Sequence, residues 1–319
     1  SGNHQTGIEF DSPTGGTDTN AQKNDNNFTV SLSETTDGGM TISSSFKLMD
    51  ENGSAGDLDA GFTLAFTDGS KLDVLNAGNA SGSHDISIPG SAGAEGVATT
   101  STNNATTDLD AGATATVFGV EYHTAADFLA DGLKMSFSAS TDNGAAATAT
   151  YRVDSHYAIG ATYVTDLGDS AVTIGAGISE SQGSNTGTAA SNDNGNFHVG
   201  LSAVTGDLTV AVGFADGHKT GTLSDSSTEL EGDVVKAGIK YVSGDLTFNV
   251  GVASADAKDN TIGSSGGSDD AIDETSASVS YAVASGVTAI LGYSTVEASN
   301  EGASSTDGSA WYIGANMAF

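Results

Sequence analysis

Apolar and polar residues alternate with a period of two along most of this chain, in segments of about 8 to 12 residues. Phe28, Val30 and Leu32, for example, are interleaved with Thr29 and Ser31. Helical periodicity is nearly absent, and Gly, Asp, Asn and Ser separate the alternating segments. Because successive side chains of a β-strand point to opposite faces, this pattern predicts strands with one apolar and one polar face. The chain is therefore expected to be all-β.

The connections between the alternating segments are of two kinds. Short turns such as Asp37-Gly38-Gly39 alternate with long polar connections, of which residues 77–112 form the longest. The two ends of a soluble β-sandwich have no reason to differ in this way, whereas a membrane barrel carries short turns at one end and longer loops at the other. We therefore predict that residues 1–319 form a single closed, 16-stranded antiparallel transmembrane β-barrel with short periplasmic turns and long external loops.

The predicted strands can be placed along the chain from the alternation. They lie near 5–10, 26–33, 39–49, 60–67, 70–76, 113–123, 132–140, 145–164, 170–179, 196–204, 207–215, 233–242, 245–254, 275–283, 287–296 and 309–319. The other long connections are expected at 180–195, 216–231, 255–273 and 298–308. Asp154-Ser155 resembles a turn, but apolar residues keep to odd positions on both sides of it, which predicts one long strand. A count of 17 remains open if residues 141–155 form a separate hairpin.

The charge balance and the absence of cysteine exclude several classes of protein. Nine Lys and Arg against 41 Asp and Glu give a formal net charge of −32, and there is no Cys. Disulfide scaffolds and cysteine-ligated metals are excluded. No nucleic acid is expected as a partner, because phosphate contacts need clusters of basic residues and Arg152 is the single Arg. The chain opens at Ser1 without a signal-peptide pattern, as expected of either a cytoplasmic protein or a mature exported one.

Aromatic residues on the predicted apolar face collect at two heights. Five lie near the short-turn ends and one, Trp311, belongs to a set further along the strands; together they are Tyr122, Tyr163, Tyr241, Tyr281, Trp311 and Phe319. Amphipathic aromatic rings concentrate where a membrane meets water. The pattern predicts that these six residues mark the membrane interfaces and that the apolar face contacts outer-membrane lipid.

The opposite face carries Gly, Ser, Thr and charged residues, which a close-packed core could not accommodate without many unsatisfied polar groups. A water-filled lumen can accommodate them. The predicted lumen residues on the strands are Lys47, Lys71, Asp73, Lys134, Arg152, Asp154, His156, Lys236 and Lys240. Lys47 and Lys236 fall near mid-height. The longest connection contains no Lys or Arg. Its acidic residues are Asp85, Glu95, Asp108 and Asp110.

Three stretches resemble a known family: Thr29-Val30-Ser31-Leu32, Gly61-Phe62-Thr63-Leu64, and the closing segment from Trp311 to Phe319. They are similar to the general diffusion porins of Gram-negative outer membranes, most closely the alphaproteobacterial type. The terminal Phe, preceded by outward Met317, resembles the signature by which such barrels are recognised for insertion. The resemblance implies a homotrimer in the outer membrane and a passive channel for small hydrophilic solutes.

The resemblance also implies a constriction, in which the third long loop folds into the lumen opposite a basic wall. Carried onto this sequence, the loop is residues 77–112, and the candidate constriction residues are Lys47, Arg152, Lys236, Asp85, Glu95, Asp108 and Asp110. Familiar members carry a dense Arg cluster, whereas this chain has one Arg, so a weaker transverse field is expected. The excess of negative charge predicts a preference for cations.

Other functions were weighed against a channel. No catalytic residues are predicted, because the six His are scattered and no hydrolase, metalloprotease or phosphate-loop motif is present. The alternatives that stay open are a secreted acidic surface-layer or adhesin subunit and a substrate-specific outer-membrane channel. No cofactor is expected apart from Ca²⁺, for which the acidic stretches offer hard oxygen ligands at Asp50, Asp57, Asp59, Asp269 and Asp270. Solvated acidic loops without an ion are the favoured interpretation of these stretches.

Overall fold

The computed structural model describes residues 1–50, 54–55, 61–75, 79–90, 119–140, 152–184, 191–220, 228–261, 268–300 and 306–319. Within these ranges the chain forms 17 strands and one short 3-10 helix, Gly82–His84. The strands are β1 Gly2–Pro13, β2 Thr19–Thr35, β3 Thr41–Asp50, β4 Ser54–Ala55, β5 Phe62–Ala65, β6 Lys71–Val74, β7 Gly119–His123, β8 Leu133–Ser140, β9 Arg152–Leu167, β10 Ser170–Ser184, β11 Ser191–Thr205, β12 Leu208–Thr220, β13 Thr228–Ser243, β14 Leu246–Thr261, β15 Ser268–Ala284, β16 Val287–Asn300 and β17 Thr306–Ala318. The described residues contain no helix that is long and apolar enough to cross a membrane.

The strands form one closed antiparallel sheet. Strands adjacent in sequence pair with one another, except β4 with β5, and β1 closes the sheet by pairing with β17 as well as β2. β4 and β5 both pair antiparallel with β3, at its far end and its near end respectively, so they are two halves of one barrel strand. Counted in this way, the described strands form a barrel of 16, which confirms the predicted architecture.

Glycine builds the short turns between the strands. Gly206 and Gly244, in the turns after β11 and β13, have φ angles of 56° and 60°. A residue with a Cβ atom is strained in this left-handed conformation, whereas glycine adopts it readily. The short turns predicted from the sequence at these two positions are therefore confirmed, and a glycine in the left-handed conformation forms each of them.

Several strands continue beyond the boundaries that the alternation predicted. β11 and β12 remain paired from Asp193 to Thr220, and β12 pairs with β13 as far as Glu229. The predicted connections at 180–195 and 216–231 are therefore largely strand in the described residues. The apolar alternation stops where a strand leaves the hydrocarbon layer, because both faces then meet water, but the hydrogen bonding continues.

The ambiguous stretch around Asp154 is part of a strand. β9 runs unbroken from Arg152 to Leu167. The register against β10 shifts at this point, since Gln182 lies opposite Ser155 and Gly183 opposite Val153. Asp154 is thus the extra residue of a β-bulge, and the turn-like dipeptide reflects that irregularity. Residues 145–151 of the predicted strand lie outside the described residues.

The two faces of the wall differ in composition all round the barrel. In β11, Val199 and Leu201 are exposed on the outer face, while His198 is buried on the inner one. In β8, Phe137 is exposed on the outside and Ser138 is buried on the inside. A broad exposed apolar surface of this kind marks contact with a membrane rather than with water. The polar side chains accordingly face the interior of the barrel.

Candidate functional site

Residues 79–90, named here the inner segment, lie against the inner face of the barrel wall. The backbone N–H of Ala80 donates to Ser138 Oγ at 3.1 Å, and the 3-10 helix follows at once. His198 Nε2 lies 2.8 Å from the carbonyl oxygen of Ser81. The inner segment is thereby tied to both β8 and β11.

A row of glycines provides the surface on which the inner segment lies. We name it the glycine track; it comprises Gly160, Gly175, Gly177, Gly200, Gly238 and Gly251, on β9, β10, β11, β13 and β14. A Cβ atom added at any of these positions would meet an atom of the inner segment at less than 3.0 Å, closer than real Cβ atoms approach. The glycines adjoin one another across the sheet, as Gly160 does with Gly177 and Gly238 with Gly251. The track therefore fits the backbone of the inner segment by shape.

Two isoleucines add apolar contact on the same side. Ile86 and Ile88 are buried and cluster with Ala211 on β12. An alanine at this wall position leaves room for the two larger side chains, and their burial contributes stabilisation of the hydrophobic kind. The inner segment alternates between these buried side chains and the exposed Asp85 and Ser87. One face of the segment therefore contacts the wall while the other meets the lumen.

Asp85 is the acidic group that the inner segment presents to the lumen. Its side chain is 56% exposed and its Oδ1 lies 3.7 Å from Nδ1 of His198. A cavity of about 210 Å³ is lined by Asp85, His198 and Lys236, and a second of about 460 Å³ by Asp85 and Lys240. Lys236 thus borders the first cavity and Lys240 the second, and Asp85 borders both. Acidic and basic groups share one part of the lumen.

The other predicted constriction residues have different outcomes. Lys47 is exposed on the inner face of β3, since Ile42 and Leu48 occupy the outer face. Arg152 lies at the far end of β9, where the structure describes its backbone only. Three candidates lie outside the described residues: Glu95, Asp108 and Asp110. The constriction as a whole therefore stays a prediction, and so does the inward folding of residues 91–112.

Three predicted wall residues lie in a separate cavity of about 680 Å³, near a short turn. They are Lys71, Asp73 and Lys134, and the same cavity is lined by His84 and His123. His156, predicted on the wall of the lumen, is buried, at 2% exposure, so it does not line solvent. Asp154 lies in β9 beside the bulge, and the structure describes only its backbone.

A chain of hydrogen bonds runs along this cavity of about 680 Å³. His123 Nε2 is 2.9 Å from Asp73 Oδ2, and its Nδ1 is 2.8 Å from Ser136 Oγ. Ser136 Oγ is also 2.8 Å from His84 Nε2, and His84 Nδ1 is 2.6 Å from Thr162 Oγ1. A carboxylate only accepts hydrogen bonds, so with neutral rings Thr162 donates to His84, His84 to Ser136, Ser136 to His123, and His123 to Asp73.

His84 has a strongly perturbed acidity in this position. Burial lowers the pKa of His84 from 6.5 to about 4, and His123, His198 and Lys134 add a smaller electrostatic effect in the same direction. Loss of hydration disfavours the charged imidazolium, and nearby positive charges disfavour it further. The ring therefore stays neutral at neutral pH, in the form that the hydrogen-bond chain requires.

Four features of the site were not identified from the sequence. These are the glycine track, the contact of His84 with two wall strands, the buried Glu121 beside His123, and the ion pair between Lys23 and Glu9. Glycines at inward positions of mid-strand were the available signal for the track, because Gly otherwise weakens a strand. Lys23 was missed because β2 begins at Thr19, earlier than the alternation indicated.

The six aromatic residues predicted at the membrane interfaces are all exposed on the outer face. Their exposures range from 37% for Tyr122 to 76% for Phe319. Trp311 packs on Tyr293 with ring centroids 4.3 Å apart. Their depth in a bilayer stays a prediction.

The candidate calcium residues lie largely outside the described side chains. Asp57 and Asp59 lie outside the described residues, and Asp50 is described in backbone only, at the end of β3. In the register of β14 with β15, Asp269 lies opposite Lys258. The calcium prediction is not tested by these observations.

A closed barrel with an apolar exterior and a polar, cavity-containing interior defines a transmembrane channel of the β-barrel class. The family model described as Gram-negative porin matches residues 1–319. The chain belongs to the Gram-negative porin family, and it is an outer-membrane porin channel.

Solved porin structures share the fold at low sequence identity. The anion-selective porin from Comamonas acidovorans is 12% identical, with 100% of this chain and 99% of that chain covered and a TM-score of 0.69. In-vitro folded OmpT of Vibrio cholerae, in a trimer form, is 14% identical, with 99% and 98% covered and a TM-score of 0.63. A mutant of the Rh. blastica porin is 18% identical, with 100% and 98% covered and a TM-score of 0.57. No curated protein matches the chain.

Proposed function

We propose that the protein is a passive, cation-preferring diffusion channel, in which the connection 77–112 narrows the lumen. The observation that carries the proposal is the inner segment, which lies along the inner wall and presents Asp85 to one cavity bordered by Lys236 and to another bordered by Lys240. Opposite charges across a narrow aqueous passage favour small hydrophilic solutes over apolar ones. No catalysis is proposed.

The preference for cations is supported by the charge of the whole chain. The formal net charge of −32 creates a negative potential that concentrates cations at the channel mouths. The Comamonas acidovorans porin is named as anion-selective, but at 12% identity it is a guide to the fold alone. Selectivity follows from the particular charges that line the lumen, and those differ between chains of one fold.

A homotrimer and bound calcium complete the proposal. The trimer is supported by the trimer form of the Vibrio cholerae protein and by the exposed apolar outer surface, part of which other subunits would cover. Calcium at the acidic loops is supported only by their density of carboxylates.

Reversal potentials in a planar lipid bilayer test the selectivity. With KCl about tenfold more concentrated on one side, the wild-type channel should give a potential of the sign that K⁺ permeation produces. Asp85→Asn should reduce the permeability ratio roughly two- to fivefold, because a charge beside the ion path is worth about 1 kcal/mol in water. Asp37→Asn removes the same charge from an exposed short turn and should change the ratio less.

Two results would contradict the proposal. Anion preference of the wild-type channel would remove the cation assignment. Saturation of the current by one solute and not by others of equal size would instead indicate a substrate-specific channel.

A further inference from the structure

Three potential metal ligands converge on the inner wall beside the cavity of about 680 Å³. Asp73, Glu121 and His123 each offer one ligand atom, and these atoms all lie within 4.8 Å of one another. His123 Nε2 is 2.9 Å from Asp73 Oδ2 and 3.6 Å from Glu121 Oε1. Strands β6 and β7 bring them together, because Asp73 lies directly opposite Glu121 in their register. We name these three residues the inner-wall cluster.

We propose that the inner-wall cluster binds a divalent transition-metal ion of the Zn²⁺ type. Four ligands held tetrahedrally at about 2.1 Å from Zn²⁺ stand about 3.4 Å from one another. The two distances from His123 Nε2 lie on either side of that value. A ligand set of one imidazole and two carboxylates suits Zn²⁺, whereas Ca²⁺ takes six to eight oxygen ligands.

A neighbouring hydroxyl orients each of the three ligands. Thr63 Oγ1 donates to Asp73, and Ser83 Oγ donates to Glu121 Oε1 at 2.8 Å. Ser136 Oγ lies 2.8 Å from the second ring nitrogen of His123. Metal-binding residues in proteins are held by such outer contacts, which fix the ring orientation and the tautomer.

A bound metal would replace the hydrogen bond from His123 Nε2 to Asp73, and the rest of the hydrogen-bond chain can adapt to that change. A metal on His123 Nε2 places the ring proton on Nδ1, which then donates to Ser136 Oγ. Ser136 can in turn donate to His84 Nε2, and His84 Nδ1 can donate to Thr162, so the donor direction reverses at each of the three remaining links. The chain therefore accommodates either tautomer of His123.

Burial and access also suit a site of this kind. The side chain of Glu121 is 3% exposed, and a buried carboxylate is stabilised by a positive partner or a metal. Those of Asp73 and His123 are 16% and 26% exposed, and both line the cavity of about 680 Å³. An ion can enter from that cavity and keep a water molecule as its fourth ligand. Lys71 and Lys134 line the same cavity and repel cations, so binding depends on direct coordination.

Calorimetric titration of ZnCl₂ into the chelator-treated protein in detergent tests the proposal. One Zn²⁺ per chain should bind, and more tightly than Ca²⁺ or Mg²⁺. His123→Gln, Asp73→Asn and Glu121→Gln should each weaken the affinity by about tenfold or more, and Thr63→Ala by a smaller factor. His4→Gln is the matched control, because it removes a β1 imidazole that bonds to the amide of Asn26 and should leave the affinity unchanged.

Crystals of the wild-type protein soaked in ZnCl₂ give a second measurement that does not depend on folding of the variants. The anomalous signal at the zinc edge should lie among the three ligand atoms. Absence of saturable binding, a signal elsewhere, or equal affinities in the wild-type protein and the three variants would overturn the proposal. Neither measurement involves ion currents, so its outcome is separate from that of the channel proposal.

Discussion

The wall holds the inner segment in two different ways on its two sides. On β9 to β14 the glycine track receives the segment mainly by shape, and His198 on β11 adds one imidazole contact to Ser81 and Asp85. On β7 to β9 the segment is held by hydrogen bonds, from its own His84 to the hydroxyls of Thr162 and Ser136 and from Ser83 to the carboxylate of Glu121. Contact by shape does not depend on pH, but it does not tolerate a larger side chain. Contact through titratable groups depends on pH and is less sensitive to side-chain volume. The two sides should therefore fail under different perturbations.

An added methyl group on the glycine track should have the largest effect. At Gly238 a Cβ atom would meet the backbone of Pro89 closer than 3.0 Å, so Gly238→Ala should displace the inner segment, at a cost of about 1–3 kcal/mol. Gly213→Ala is the control, because its Cβ would be 3.5 Å from Ile88, an ordinary contact. Hydrogen exchange of residues 79–90 should rise about tenfold in the first variant and little in the second. Equal responses would refute the fit by shape.

Acid should loosen the polar side. The pKa of His84 is lowered to about 4 in place and returns towards 6.5 when the ring is released into water, so the released state binds more protons between these values. The stabilisation is therefore fully present above pH 6.5 and is lost as the pH falls towards 4. Hydrogen exchange of residues 79–90, corrected for its intrinsic pH dependence, should increase over that range. His84→Gln keeps a polar side chain that does not titrate. In this variant the hydrogen exchange of residues 79–90 should increase less between pH 6.5 and 4 than in the wild-type protein.

Loss of one hydroxyl on the polar side should have the smallest effect. Ser83→Ala removes the hydrogen bond to Glu121 Oε1 and should weaken the attachment by about 1 kcal/mol. Ser87→Ala changes an exposed hydroxyl of the same segment and should leave exchange unchanged. A larger effect from Ser87 than from Ser83 would contradict the proposed division between the two sides.

The barrel could be predicted from the sequence because its pattern is local. Alternation at residues such as Val199 and Leu201 reflects lipid on one face of each strand, and Gly206 records a short turn. The ends of β12 and β13 could not be predicted, since outside the membrane both faces of a strand are polar.

The interior could be predicted only in part, because it depends on contacts between distant residues. The inward position of Lys236 follows from alternation, and Lys236 and Asp85 line one cavity. The contact of His84 with Thr162 joins residues 78 positions apart. Nothing in the local sequence indicates such a pairing.

The glycine track also sets an order of assembly. Its members are contributed by β9, β10, β11, β13 and β14, so the complete surface exists only after these strands have paired. Residues 79–90 precede all of them in the chain, and must wait for partners that are synthesised later. Until those strands have paired, residues 79–90 lack the surface on which they lie in the finished barrel.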